Sequence, residues 1–272
     1  MERFILPLPP DSQGLIKLAG KDFHYLVRVR RLQEGAVFNA ALPDGSAVRV
    51  RALSLADNCL TGECLPGELR DETALAFDPT PPIILFQAMP KGAKLDLIVR
   101  QAVEGGIAEI RPFVSAYSVP RISGKASREN GGGASRVERW RRIIKEARQQ
   151  SGSSTATEIA APCTVEELLE YWETLKGRAE QPRGILLHPG VGGPLAKGSF
   201  HGYLYGSPDL VVLAVGPEGG FSPGEVSRFV DAGFKPLVIG NTILRTETAP
   251  LYATAAVRVI LLENILWTLR AP

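Results

Sequence analysis

This chain of 272 residues contains only three cysteines, Cys59, Cys64 and Cys163. Their spacing matches no metal-binding pattern and their odd number leaves no full set of pairs, so they read as incidental thiols of a reducing compartment. No apolar run approaches the roughly 20 residues of a membrane-spanning helix. The amino terminus, Met1-Glu-Arg-Phe4, lacks the apolar core of a secretory signal. These absences exclude a disulfide scaffold and predict a cytoplasmic protein with no membrane partner and no metal. Charge of one sign is lacking too: 31 Lys and Arg stand against 29 Asp and Glu, for a formal net charge of +2. A nucleic-acid surface must therefore arise from where the charges fall and not from their sum. No internal repeat is evident. No G-x-G-x-x-G loop follows a first strand, so nothing points to a pyrophosphate-bearing ligand.

What is present is apolar material for real cores, 44% of residues, and a length that suits one large domain or two modest ones. The chain is organised around Val211-Val-Leu-Ala-Val-Gly-Pro-Glu-Gly-Gly-Phe-Ser-Pro-Gly-Glu225. Its apolar opening has no polar face and reads as a strand buried on both sides, as in a parallel sheet. The strand stops at Gly216-Pro217 and a glycine loop follows. Ser222, with Pro223 at the first helical position and Glu225 three residues on, then forms a capping box. A buried strand thus delivers a glycine loop to a helix start, the place where open α/β sheets bind ligands. By itself the loop is equally a tight βα turn.

A second stretch has the same form. Pro236-Leu-Val-Ile-Gly240 reads as another short buried strand, followed by Asn241-Thr-Ile-Leu-Arg-Thr-Glu-Thr-Ala249 and a helix from Pro250 to about Leu266. Locally, Thr248 is a candidate cap and Glu247 lies near the positive end of the helix dipole. Neither role accounts for Arg245 or for the Ile243-Leu244 pair.

Residues 1 to about 75 carry short strand signals: Phe4–Leu6, Ala36–Leu42, Ser46–Leu53 and Cys59–Leu65, with a turn at Pro43-Asp44-Gly45. A basic, helical piece, Phe23–Leu32, interrupts them. Close strand spacing suggests a small β-barrel, in which Arg28, Arg30 and Arg31 either meet phosphates or form a solvated face. Pro66–Pro82 reads as a linker. Ile83–Ala88, a helix over Leu95–Glu104 and Ile107–Val114 then form a βαβ unit. Ser123–Ser135 is rich in Gly and Ser and is expected to be mobile. Val137–Gln150 is an amphipathic helix with Trp140, Ile143, Ile144 and Ala147 on its apolar stripe. Arg136, Arg139, Arg141, Arg142, Lys145 and Arg148 against Glu138 and Glu146 make it the most basic stretch, favouring RNA over a membrane surface. Helix Val165–Lys176 and strand Gly184–Pro189 follow. The last helix is apolar around much of its circumference, which requires a central position or a partner.

Taken together, Gly216-Pro-Glu-Gly-Gly220 and Ile239-Gly-Asn-Thr-Ile-Leu-Arg-Thr-Glu-Thr-Ala249 resemble the knotted SPOUT methyltransferases. Within them the pair is similar to the ribosomal RNA small subunit methyltransferase E family, which methylates N3 of a uridine in 16S rRNA. Gln87-Ala-Met-Pro-Lys-Gly92, Arg139–Ala147 and Gln150-Ser-Gly152 match as well, so the resemblance spans nearly the whole chain. It implies an α/β fold: a SPOUT-type parallel sheet with a C-terminal trefoil knot in residues 80–272, preceded by a small PUA-like β-barrel domain for RNA in residues 1–75. It implies a homodimer acting on 16S rRNA, with S-adenosyl-L-methionine as cofactor. Three strand ends, after Leu187, Val215 and Ile239, would form a crevice of main-chain groups that reads an adenine edge. Leu187, Ile239 and Leu244 would flank the ring, and His188 would contribute its backbone. Val215, Gly216, Pro217, Glu218, Gly219 and Gly220 complete one side, with Gly240, Asn241, Ile243, Arg245, Thr246 and Ala249 on the other. Arg245 is expected to stabilise negative charge on the uracil carbonyls or to hold a phosphate. Glu218 or Glu247 is expected to take the imide proton, directly or through water, unless each merely caps a helix. Lys91, Arg139, Arg142 and Lys145 join the three N-terminal arginines as candidate RNA contacts.

The chain departs from the family pattern at Ser153, Thr242 and Tyr117, where basic residues are usual, and at Gly105, where leucine is frequent. These departures touch RNA contacts and leave the cofactor loops intact. A non-catalytic RNA-binding or ribosome-assembly factor, and a SPOUT methylase acting on another RNA, remain the competing readings.

Overall fold

The computed structural model describes residues 4–65, 80–118, 132–188, 199–239 and 242–263. It divides into two compact units, Met1–Asp78 with Arg148–Ala156, and Pro79–Ala147 with Thr157–Pro272. The expected linker lies largely outside the described residues, as does most of the glycine-rich stretch before residue 132.

The first unit is a five-stranded sheet ordered β1-β3-β4-β5-β2. Its strands are β1 (Phe4–Ile5), β2 (Leu15–Ala19), β3 (Val37–Ala41), β4 (Ala47–Ala56) and β5 (Cys59–Leu65). Helix α1 (Gly20–His24) and a π-helical turn (Tyr25–Val29) form the expected helical piece. Strand β2 adds to the expected set: its buried Ile16 and Leu18 alternate with exposed Lys17 and Ala19, as a half-buried strand requires. Among the described residues β1 and β2 do not pair, so the expected barrel is, by its hydrogen bonds, an open five-stranded sheet. Phe4, Leu6, Leu18, Leu26 and Leu60 centre its core. The Pro43–Gly45 turn forms as read: the Asp44 carboxylate accepts from the Ser46 N–H at 2.9 Å. Arg148, counted above among the basic helix charges, is instead buried and donates to the Pro43 carbonyl at 3.3 Å.

The second unit is a sheet of seven strands, every pair parallel. Their order is β12-β10-β11-β6-β7-β8, with β9 also on β7. The strands are β6 (Ile83–Ala88), β7 (Glu109–Val114), β8 (Glu158–Ile159), β9 (Cys163–Thr164), β10 (Pro182–Leu187), β11 (Leu210–Val215) and β12 (Lys235–Leu237). Every residue of β6 and β11 is buried, as their unbroken apolar runs require. Alternate side chains enter two cores. Ile83, Leu85, Val211 and Leu213 face α2 (Lys94–Glu104), α3 (Gly132–Ser151), α5 (Phe200–Leu204) and α7 (Ala249–Leu262). Ile84, Phe86, Val212 and Ala214 face α4 (Val165–Lys176) and α6 (Pro223–Asp231). The result is a three-layer α/β/α fold. No helix among the described residues is long and apolar enough to cross a membrane.

Two expectations need correction. The Pro236 strand is not buried: β12 lies at the sheet edge, with Lys235 and Pro236 exposed. Proline lacks the N–H a central strand needs, so the edge is where it fits. Thr248 precedes α7 in a helical conformation, φ −91° and ψ −36°, and makes no side-chain cap. A capping side chain needs extended backbone at that position.

Candidate active site

The strand order reverses between β6 and β11, whose carboxyl ends pair at Gln87 and Val215. Open α/β sheets offer a crevice at such a switch point. The glycine loop leaves β11 here. The Gly220 N–H donates to the Pro217 carbonyl at 2.9 Å, closing a turn in which Gly220 takes φ 71°. A Cβ on Gly216 would lie 3.2 Å from the Gly220 carbonyl carbon and from the Phe221 ring, so a side chain there would press on the loop's own backbone.

The capping box at the start of α6 forms as read, and it does more than cap. Glu225 is buried; its Oε2 accepts from the Ser222 N–H at 2.8 Å and its Oε1 from the Ala116 N–H at 2.8 Å. One carboxylate thus fixes the glycine loop's exit and the loop after β7. Glu225→Ala leaves both N–H groups without partners and is expected to cost about 2 kcal/mol of stability, measurable by chemical denaturation.

The loop before α7 closes on the glycine loop from the other side. Thr246 is buried, and its hydroxyl donates to the Gly216 carbonyl at 2.8 Å while accepting from Gln87 Nε2 at 3.3 Å. Two bends distant in sequence are therefore clasped over one strand end, as the sequence reading required. A lysine joins them a second time: Lys94 Nζ stands 2.8 Å from Glu218 Oε1 and 3.3 Å from Glu247 Oε2. Glu247 Oε2 is buried and makes no well-directed hydrogen bond, so this is a charge contact. The Glu218 carboxylate also accepts from the Lys91 N–H at 3.2 Å. Burial alone would raise the Glu218 carboxyl, but the Lys94 ammonium and the backbone N–H groups outweigh it and hold it below its ordinary value. Hydrogen bonding to Glu218 in turn holds Lys94 above its ordinary value.

The remaining expected residues fall around this clasp. Leu187, Ile239 and Leu244 are half-buried and pack against the same core, Leu187 as the last residue of β10 and Ile239 two residues past β12. His188 donates its backbone N–H to the Leu237 carbonyl at 3.3 Å. Val215 and Pro217 are buried, Gly219 is exposed and Ala249 opens α7. Arg245 is exposed and its guanidinium has no partner among the described residues; its carbonyl accepts from the Thr248 and Ala249 N–H groups, both at 2.9 Å. Ile243 is 85% exposed. Gly240 and Asn241 lie outside the described residues.

Of the candidate RNA contacts, Arg28, Arg31, Lys91, Arg142 and Lys145 are exposed. Arg30 is half-buried, and Arg139 is engaged by Asp96. Sequence reasoning missed Gln87 and Lys94 as site residues. Gln87 carried a signal: it is the one polar side chain in Ile83–Ala88. Lys94 carried none beyond its place in the βα turn.

Residues 78–258 match the family model described as an RNA methyltransferase domain. The chain is 30% identical over 252 residues to a ribosomal RNA small subunit methyltransferase E from Synechocystis sp., covering 92% of this chain and 74% of that protein. It is 26% identical over 268 residues to the Bacillus subtilis protein of that name, covering 94% and 96%. A crystal structure of a ribosomal RNA small subunit methyltransferase E from Neisseria gonorrhoeae bound to S-adenosyl methionine superposes with a TM-score of 0.74 at 25% identity, covering 96% and 98%. With a family model over most of its length, a relative 30% identical over 92% of this chain and two clasped loops at the sheet's switch point, the chain belongs to the RNA methyltransferase domain family, and within it to the ribosomal RNA small subunit methyltransferases E.

Proposed function

We propose that this chain transfers a methyl group from S-adenosyl-L-methionine to N3 of a uridine in 16S rRNA, acting on the small ribosomal subunit as a cytoplasmic homodimer. The observation that carries the reading is the clasp of Thr246 on Gly216 over the end of β11. The residues present fit the cofactor. Leu187, Ile239 and Leu244 give half-buried apolar walls, Gly216 lets the backbone approach, and no anion-binding glycine motif suggests a phosphate instead. The reading includes a trefoil knot in the second unit and a PUA-like RNA-binding role for the first. A unit boundary at residue 78 supports the division into 1–75 and 80–272. Leu251 and Tyr252, exposed on α7, support self-association through that helix.

Bound in the crevice, the cofactor supplies an already activated methyl group. The chain has then to align the uridine and remove one proton. Arg245 offers an exposed cation to negative charge developing on the uracil carbonyls. Glu218 is held below its ordinary value with the Lys94 ammonium beside it, and Glu218 or Glu247 takes the proton, directly or through water.

Incubating the full chain with tritiated S-adenosyl-L-methionine and small subunits from cells lacking this gene, then mapping the label, tests the reading. One N3-methylated uridine in 16S rRNA is expected. Label in another RNA would replace the substrate, and no saturable cofactor heat in calorimetry would leave a non-catalytic RNA-binding factor. On the basic helix, Arg142→Ala is expected to lower the salt slope of RNA binding by about 1. Arg139→Ala should change it less, because Asp96 already holds that guanidinium.

A further inference from the structure

The loop that follows β7 is tied down by its own hydrogen bonds. The Ser118 N–H donates to the Ser115 carbonyl at 3.0 Å, and the Ser115 N–H returns a bond to Ser118 Oγ at 3.1 Å. Glu225 holds the first of the two residues between them through the Ala116 N–H. Both serines are buried, yet Tyr117 at the tip is 51% exposed. Its hydroxyl has no hydrogen bond among the described residues. Its side chain leans over the glycine loop: a Cβ on Gly219 would lie 3.0 Å from Tyr117 Cβ and 3.5 Å from its Cγ. So the glycine loop makes room for this tyrosine, and the hydrogen bonds on either side of it fix its backbone. A cover for Gly219 needs neither an aromatic ring nor half of that ring in solvent. Next to Gly219, Glu218 contacts the backbone of exposed Lys91 and the ammonium of Lys94. Lys94 is occupied by its two carboxylates, but exposed Lys91 offers a cation that suits a phosphate of a bound strand.

We propose that Tyr117 is a stacking platform for a nucleobase of single-stranded RNA entering the site. This rests on the RNA-methylating function proposed above. Proteins read unpaired RNA by stacking its bases on aromatic side chains, and a tyrosine on a preset backbone loses little freedom in doing so.

The test uses the full chain and three variants, Tyr117→Ala, Tyr117→Leu and Tyr117→Phe. Methyl transfer to unmodified small subunits gives kcat and the KM for RNA. Anisotropy of a fluorescein-labelled oligouridine gives RNA affinity, and calorimetry gives cofactor affinity. Tyr117→Ala and Tyr117→Leu are expected to raise the RNA KM and the oligouridine Kd about 5- to 150-fold, with kcat and cofactor affinity unchanged. Tyr117→Phe is expected to behave as the natural chain. The proposal is overturned if Tyr117→Leu binds RNA as well as Tyr117→Phe, which would make the residue a filler over Gly219. It is overturned equally by an unchanged Tyr117→Ala, or by a loss confined to cofactor binding. Should the natural chain methylate no RNA, the proposed function fails, and the anisotropy series alone decides the role of Tyr117.

Discussion

Arg245→Ala is expected to lower methyl transfer about 10²- to 10³-fold, the usual effect of removing one charge-stabilising group from a transition state. The same substitution should leave the thermal midpoint where it was. The side chain is exposed and unpaired among the described residues, and the structural work at this position is done by its carbonyl, which alanine keeps. Surface changes of that kind stay within about 0.5 kcal/mol. Arg245→Lys restores the charge without the planar fork and should recover only part of the rate. Single-turnover transfer beside a thermal melt separates these effects, and near-normal turnover of Arg245→Ala would refute the assignment.

Lys94→Met is expected to have the second largest effect, about 10- to 100-fold on the transfer rate, because it releases both loops at once and reacting groups tolerate little misplacement. It leaves Glu218 and Glu247 facing each other without their shared cation. The pH dependence has a definite sign. Glu218 is held below its ordinary 4.5, so its pairing contributes stability above that pH, and the contribution is lost as pH falls through the depressed folded value. Lys94 is held above its ordinary 10.5, so its contribution is complete below that pH and is lost as pH rises through the raised folded value. Between those limits the bridge is whole in the natural chain. In Lys94→Met the two carboxylates lose their shared cation, Glu218 loses the ammonium that helps hold it below its ordinary value, and the rate should acquire an acid-side dependence. Adding Glu247→Gln relieves the repulsion between them: recovery of part of the loss assigns the proton to Glu218, and a further loss assigns it to Glu247. A flat profile at the natural rate in Lys94→Met would remove the bridge from the mechanism.

The architecture is legible in the sequence where one local rule suffices. The uninterrupted apolar runs of β6 and β11 locate the centre of the sheet, and Ser222 with Glu225 locates the start of α6. The pairing of two polar bends is legible too, since their combined residues resemble one family. What is not legible depends on contacts between distant segments. Nothing in the residues around Lys94 says that its ammonium reaches Glu218 in a loop far along the chain, or that Glu225 fixes Ala116 across the fold. Strand β12 departs from expectation for a related reason. Pro236-Leu-Val-Ile239 is apolar enough for a core; Pro236 is the local signal for an edge, and the sheet order puts the strand at the rim.

That rim has a consequence for how the molecule meets copies of itself. Leu237 turns its carbonyl inward to His188, so the neighbouring Pro236 turns its own main-chain groups outward. An incoming strand would find a carbonyl with no N–H beside it, and the ammonium of Lys235 one residue away. Proline and lysine at such a border are the usual safeguard against runaway sheet extension and fibre growth. Association of this protein is thereby steered away from that border, and crowded solutions of it should stay free of cross-β aggregates seeded there.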